Sequence, residues 1–118
     1  MSTIEEALEL EELEENLYRS KRTWVPIGAR GVFGGQVVGH SVLAATKTVA
    51  PHLMLHSLHS YFLLPGDASR PIIYHVARVR DGKSFATRTI TAIQNARAIF
   101  TCSASFQAKE TFTLEHQV

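Results

Sequence analysis

The chain has 118 residues, 45% of them hydrophobic and 19% charged, with a formal net charge of +1. That length predicts one domain with a single small core, and the composition excludes a disordered chain. A single cysteine, Cys102, excludes an internal disulfide, and no apolar stretch approaches the length of a membrane span.

The charge is unevenly placed. Seven of the eleven acidic residues lie in the first fifteen positions: Glu5, Glu6, Glu9, Glu11, Glu12, Glu14 and Glu15. From Asn16 onward, twelve Lys/Arg stand against Asp67, Asp81, Glu110 and Glu115, a balance of +8. A basic body behind an acidic leader either suits an anionic ligand or is a solvated surface whose charges segregate. The acidic start resembles neither a secretory signal nor a mitochondrial presequence.

Residues 3–15 predict a short helix, with Thr3 as cap and Glu6 as its capping-box partner. Ile4, Leu8 and Leu13 would face inward. Residues 15–20, with Leu17 and Tyr18, predict a short strand. Residues 23–31 hold Trp24, Pro26, Gly28 and Gly31 and read as a loop. From Gln36 to Val49, the residues Val38, Val42, Ala45 and Val49 recur at helical spacing, and Pro51 ends the run. Gly39 lowers the stability of that helix by roughly 1 kcal/mol relative to alanine.

Four strands are predicted next, over 55–64, 71–80, 84–94 and 97–107. Asp81-Gly82 marks a turn between the second and third. Asn95-Ala96 marks the next turn. In the last segment Ala98, Phe100, Cys102, Ala104 and Phe106 share one face, and Thr101, Ser103 and Ser105 share the other. Such alternation suits an antiparallel sheet covered on one side, and it makes Cys102 a buried structural thiol. Residues 108–118 read as a tail or linker. One long helix among antiparallel strands is an α+β arrangement, and the absence of βαβα alternation argues against a doubly wound sheet.

Several segments occur in a fixed order: Phe33-Gly34-Gly35-Gln36-Val37-Val38-Gly39, Leu58-His59-Ser60-Tyr61-Phe62, Pro65-Gly66-Asp67, Arg80-Asp81-Gly82-Lys83-Ser84-Phe85 and Ala104-Ser105-Phe106-Gln107. Together they resemble the N-terminal half of a type II acyl-CoA thioesterase, a family with bacterial members and peroxisomal members in eukaryotes. The resemblance covers about residues 8–117. It implies a hotdog fold, a curled antiparallel sheet around one long helix. It also implies a second hotdog repeat that carries the catalytic Asp, Thr or Ser, and Gln. On that reading residues 1–118 are a single hotdog domain, with an N-terminal helix over 1–15 and a tail over 108–118 toward a missing repeat. The implied partners are a fatty acyl-CoA, the second repeat and a further copy of the chain. The implied location is the peroxisome, with the cytoplasm as the alternative. Neither a cofactor nor nucleic acid is implied.

Thioester hydrolysis needs an oriented water, a base and donors for the oxyanion. From Gln36 to Val49 there is neither Asp nor Glu. By internal correspondence His56 falls near the hydroxyl residue of the family triad and Ser103 near its glutamine, and neither supplies the required group. No catalytic residue is therefore assigned. The expected substrate contacts are Gly34, Gly35, Gln36, His59, Tyr61, Arg80, Lys83 and Arg88. Gly34, Gly35 and Gln36, placed at the helix start, either line a groove and donate N–H bonds or only permit tight helix–sheet packing. His59 and Tyr61 share a strand face and contact either an acyl chain or the facing repeat. Arg78, Arg80, Lys83 and Arg88 surround the Asp81-Gly82 turn and either hold coenzyme A phosphates or form a solvated hairpin end. His52, His56 and His59 lack the spacing and partners of a zinc signature. Two alternatives stand beside this reading. One is a self-sufficient single-hotdog thioesterase or dehydratase using His40 or His59 as base. The other is a non-catalytic module that binds acyl-CoA or a partner.

Overall fold

The computed structural model describes residues 9–21, 30–67 and 69–108. Its elements in chain order are β1 (Leu10–Glu14), β2 (Leu17–Ser20), α1 (Arg30–Thr46), β3 (Leu53–Phe62), β4 (Ile73–Asp81), β5 (Phe85–Gln94) and β6 (Arg97–Ala108). The six strands form one antiparallel sheet in the order β1-β2-β4-β5-β6-β3, and α1 packs against β4, β5 and β6. This is the α+β arrangement the periodicities predict.

The alternation in β5 and β6 builds the core. Ala86, Ile90 and Ala92 on β5 and Phe100, Cys102, Ala104 and Phe106 on β6 are buried on one face. From α1 the buried residues are Val37, His40, Ser41, Ala44 and Ala45, followed by Thr48 just beyond its end. The small side chains of Ala44, Ala45, Ala86, Ala92 and Ala104 let helix and sheet approach closely. The buried stripe is rotated from the predicted one, since Val38, Val42 and Val49 are only partly buried. Hydrogen bonding accounts for the rotation. His40 Nδ1 and the Tyr74 hydroxyl share a 2.9 Å bond, and Ser41 Oγ donates to the Val37 carbonyl at 2.9 Å, so the polar positions can be buried.

Three expectations are corrected. The predicted helix over 3–15 fails where it can be seen, because Leu10–Glu14 is a strand paired with β2 (residues 1–8 lie outside the described residues). Asn16 takes a left-handed φ of 67° and closes the hairpin. The glutamates then find cations across strands: Glu11 pairs with Arg19, and Glu15 lies 3.5 Å from Arg78. Leu13 is 41% exposed rather than turned inward. The long helix begins at Arg30, ahead of the predicted Gln36, and so takes in the glycine pair and the last two residues of the expected loop. Trp24, Pro26 and Gly28 lie outside the described residues, as does 109–118 of the expected tail.

The helix carries no basic residue in its last turn. Arg88 of β5 supplies that charge from across the core. It is 1% exposed and donates from Nε to Thr48 Oγ1 (2.7 Å) and from Nη2 to the Thr48 carbonyl (2.8 Å) and Asp81 Oδ1 (2.8 Å). Thr48 Oγ1 in turn donates to the Ala45 carbonyl at 2.7 Å. A cation at a helix C-terminus is favoured by the macrodipole, and here it also satisfies orphan carbonyls.

Candidate functional site

At the opposite end of α1 the packing opens into a cavity of about 500 Å³. Gly34 and Val37 line it from α1, Phe62 from the end of β3, Leu63 to Gly66 from the segment that follows, and Ile99 and Phe100 from β6. Strand register places the rings. Phe62 pairs with Phe100, so both point to the helix face, with centroids 4.7 Å apart and planes tilted by 53°. The β5–β6 register shifts between Ala92 and Ile93, and Ile99 is buried beside Phe100. The Ile99 carbonyl accepts hydrogen bonds from Leu63 N (2.8 Å) and Leu64 N (3.2 Å), which ties the post-β3 segment over the cavity.

The walls differ in firmness. Val37, Ile99 and Phe100 belong to the buried core, whereas Phe62 is 60% exposed and Leu63 and Leu64 are exposed beside it. Among the described residues none that lines it is ionisable. Such a cavity can take an apolar chain out of water; these residues offer no side chain that can act as a general base. Its size falls within the range of small-molecule sites.

The sequence-predicted residues are placed as follows. Gly34 lines the cavity. Gly35 is exposed and Gln36 buried, and neither lines the cavity. All three lie past the first four residues of α1, so their N–H groups serve intrahelical bonds and the expected donation to a ligand is corrected. His59 pairs with Ser103 and Tyr61 with Thr101, on the sheet face away from α1. Neither side chain faces the cavity. Among the four cations of the β4–β5 hairpin, Arg88 is buried and its donors are engaged inward, so it is unavailable to a phosphate. Arg78 Nε donates to Asn16 Oδ1 at 2.7 Å. Arg80 and Lys83 stay exposed and enter no ion pair among the described residues; the Arg80 guanidinium sits 5.1 Å from the centre of the Phe85 ring. The hairpin lies at the far end of the sheet, where Phe85 pairs with Gln107. From Phe100 to Gln107 the strand rise alone amounts to about 23 Å.

The histidines and the cysteine do not gather. His52 Nε2 donates to the Lys83 carbonyl at 2.9 Å, His56 falls at the β3 bulge, and His40 is buried against Tyr74 with ring centroids 5.3 Å apart. Burial pushes the Tyr74 phenol above its ordinary range, so it stays protonated. Burial also pushes the Cys102 thiol up to about 11, which makes it a poor nucleophile at neutral pH. No group of three or more potential metal ligands occurs among the described residues. Phe62, Leu63, Leu64, Ile99 and Phe100 escaped the sequence reading. The available signal was the apolar run 62–64 against the breaker Pro65-Gly66, read there as the end of a strand.

Comparison with known proteins gives this geometry a context. Residues 20–107 match the sequence profile described as acyl-CoA thioesterase N-terminal domain. Acyl-coenzyme A thioesterase 8 of Mus musculus is 46% identical over 114 residues, a match spanning 97% of this chain and 35% of the relative. The peroxisomal acyl-coenzyme A thioester hydrolase 1 of Saccharomyces cerevisiae is 38% identical over 120 residues, spanning 98% of this chain and 34% of the relative. The chain thus spans about a third of the length of these curated relatives. The crystal structure of an acyl-CoA thioesterase II, TesB2, from Mycobacterium marinum superposes with a TM-score of 0.83 at 45% identity, over 92% of this chain and 40% of that one. A hot dog fold protein from Alicyclobacillus acidocaldarius, 19% identical over 93% of this chain and 41% of that one, superposes with a TM-score of 0.74, a likeness of fold alone. The chain has a hotdog fold and belongs to the acyl-CoA thioesterase N-terminal domain family.

Proposed function

We propose that this chain is the N-terminal hotdog unit of an acyl-CoA thioesterase and holds the fatty acyl chain in the cavity between α1, β6 and the segment after β3. Hydrolysis of the thioester to fatty acid and coenzyme A then falls to residues of a second hotdog unit. The cavity wall is the observation that carries this reading: mostly apolar, with two aromatic rings and, among the described residues, no ionisable side chain. Burying apolar surface stabilises a bound chain by about 25 cal/mol per Å². The absence of Asp and Glu from α1, together with a His40 buried against Tyr74, favours this over a self-sufficient single-hotdog enzyme.

The two sheet edges support a second unit along β3. At one edge β1 is five residues long, rich in glutamate and bulged between Glu12 and Glu14, all of which blunt an edge. At the other, β3 runs ten residues and exposes Met54, Leu55, Tyr61 and Phe62. His59 and Tyr61 on its outer face are then contacts to the facing unit. Alone, the chain pairs with a second copy of itself there; a monomer mass at micromolar concentration overturns that. Of the hairpin cations, Arg80 and Lys83 are left to meet coenzyme A phosphates, and replacing both with alanine should raise KM for acyl-CoA in the chain joined to a second hotdog unit. A peroxisomal location rests on the name of the yeast relative.

The test is free-thiol release from a series of acyl-CoAs. The 118-residue chain, with its fold verified by circular dichroism, should show no turnover. The same chain joined to a second hotdog unit should hydrolyse the series. Turnover by the 118-residue chain alone overturns the assignment of the chemistry to the second unit.

A further inference from the structure

Glycine is the poorest helix former after proline, because it loses the most backbone freedom and has no side chain to pack. Two stand together inside α1, at Gly34 and Gly35. Close packing is the usual reason for a helical glycine, and among the described residues it is absent. Of these, a Cβ placed on Gly34 would meet the Phe62 ring alone, at 3.5 Å to Cζ and 3.8 Å to Cε1, which is ordinary van der Waals contact. A Cβ on Gly35 would meet none of them within 4 Å. Alanine therefore fits against the described residues at both positions, and the sheet does not demand glycine at either.

The two differ in what they face: Gly34 lines the cavity and Gly35 does not. At Gly34 a side chain would project toward Phe62, into the gap between the helix and the exposed wall. We propose that Gly34 is a specificity-determining position, where helix stability is given up to leave the cavity deep enough for a long acyl chain. This rests on the acyl-chain reading of the cavity given above. The Val37–Ile99–Phe100 wall is locked in the core, so a side chain at Gly34 takes its volume from the ligand. Phe62 is exposed and meets a Gly34 side chain at ordinary contact distance, so the change leaves the buried core undisturbed.

The test uses the full chain and measures binding of non-hydrolysable thioether analogues of butyryl-, octanoyl- and palmitoyl-CoA, together with thermal melting. Gly34→Ala and Gly35→Ala should both raise Tm. Only the substitutions at Gly34 should change chain-length preference, with Gly34→Leu lowering the palmitoyl-to-butyryl affinity ratio at least about tenfold and Gly34→Ala by about threefold. A folded Gly34→Leu whose ratio stays within about twofold of the unsubstituted protein overturns the proposal. If Gly34→Leu fails to fold, Gly34→Ala decides, and an unchanged ratio there is equally fatal. Binding by the unsubstituted protein with a flat response in the variants removes this inference alone. No binding at any chain length removes the acyl-chain reading and this inference with it.

Discussion

The two ends of α1 follow opposite rules. Past its C-terminal end a buried arginine reaches across from β5, caps the Thr48 carbonyl and draws Asp81 in, so the Arg88 donors are engaged within the protein. Near the N-terminal end two glycines weaken the helix with no steric need among the described residues, and a largely apolar cavity stays open beside one of them. One end is built to hold the helix against the sheet. The other gives up stability and keeps space. Function in a small domain is expected where local preference and packing disagree in this way.

That contrast can be broken by substitution. The largest effect should come from Phe100→Ala, which empties a fully buried site and should cost about 3–5 kcal/mol in urea unfolding. Phe62→Ala, on the 60%-exposed wall, should cost well under half of that. Equal costs would mean that the two walls do not differ in firmness. Next, Arg88→Ala should lower stability by about 2–4 kcal/mol, because it removes charge-assisted bonds and leaves the Thr48 carbonyl buried. A loss within experimental error would refute the view that this end is held by Arg88.

Between the two ends, Cys102 supplies a pH test. Its thiol is ordinarily near 9.0 and burial raises it to about 11, so the unfolded state loses its proton first. The contribution is fully present below pH 9 and is lost as pH rises through about 11. The urea midpoint should therefore fall across that interval, and Cys102→Ala should shallow the fall. Tyr18 and Tyr74, also raised by burial, should leave some of the alkaline slope in place.

The smallest effect concerns the turn at the cavity end. Asn95 and Ala96 both take positive φ, 51° and 60°, as a type I′ hairpin turn requires. Alanine is strained there and glycine is not, so Ala96→Gly should stabilise by about 0.5–1 kcal/mol. A destabilised variant would mean that the turn has a different conformation.

Strands β4, β5 and β6 were legible because apolar and small residues alternate along them with turn dipeptides between. The turn pair Asn95-Ala96 and the helix body were legible for the same local reasons. Strand β1 was not, because its glutamates read as a helix face until Arg19 and Arg78 are seen to pair with Glu11 and Glu15 across strands. The start of α1 was placed too late because a glycine pair is a poor helix former and reads locally as a boundary. Arg88 sits on the inward face by alternation, yet its charge suggested a surface role; its partner Thr48 lies 40 positions earlier. The cavity was illegible for the same reason. Phe62 and Phe100 meet only through the register of β3 on β6.

We propose that the open end of α1, and not the Arg88 end, receives an acyl chain. Amide chemical-shift mapping of the 118-residue chain with thioether acyl-CoA analogues of increasing length tests it most directly. Shifts at Gly34, Val37, Phe62 to Leu64, Gly66, Ile99 and Phe100 should grow with chain length. Shifts confined to Thr48 and the β4–β5 hairpin, with the cavity amides unmoved at every length, would contradict it.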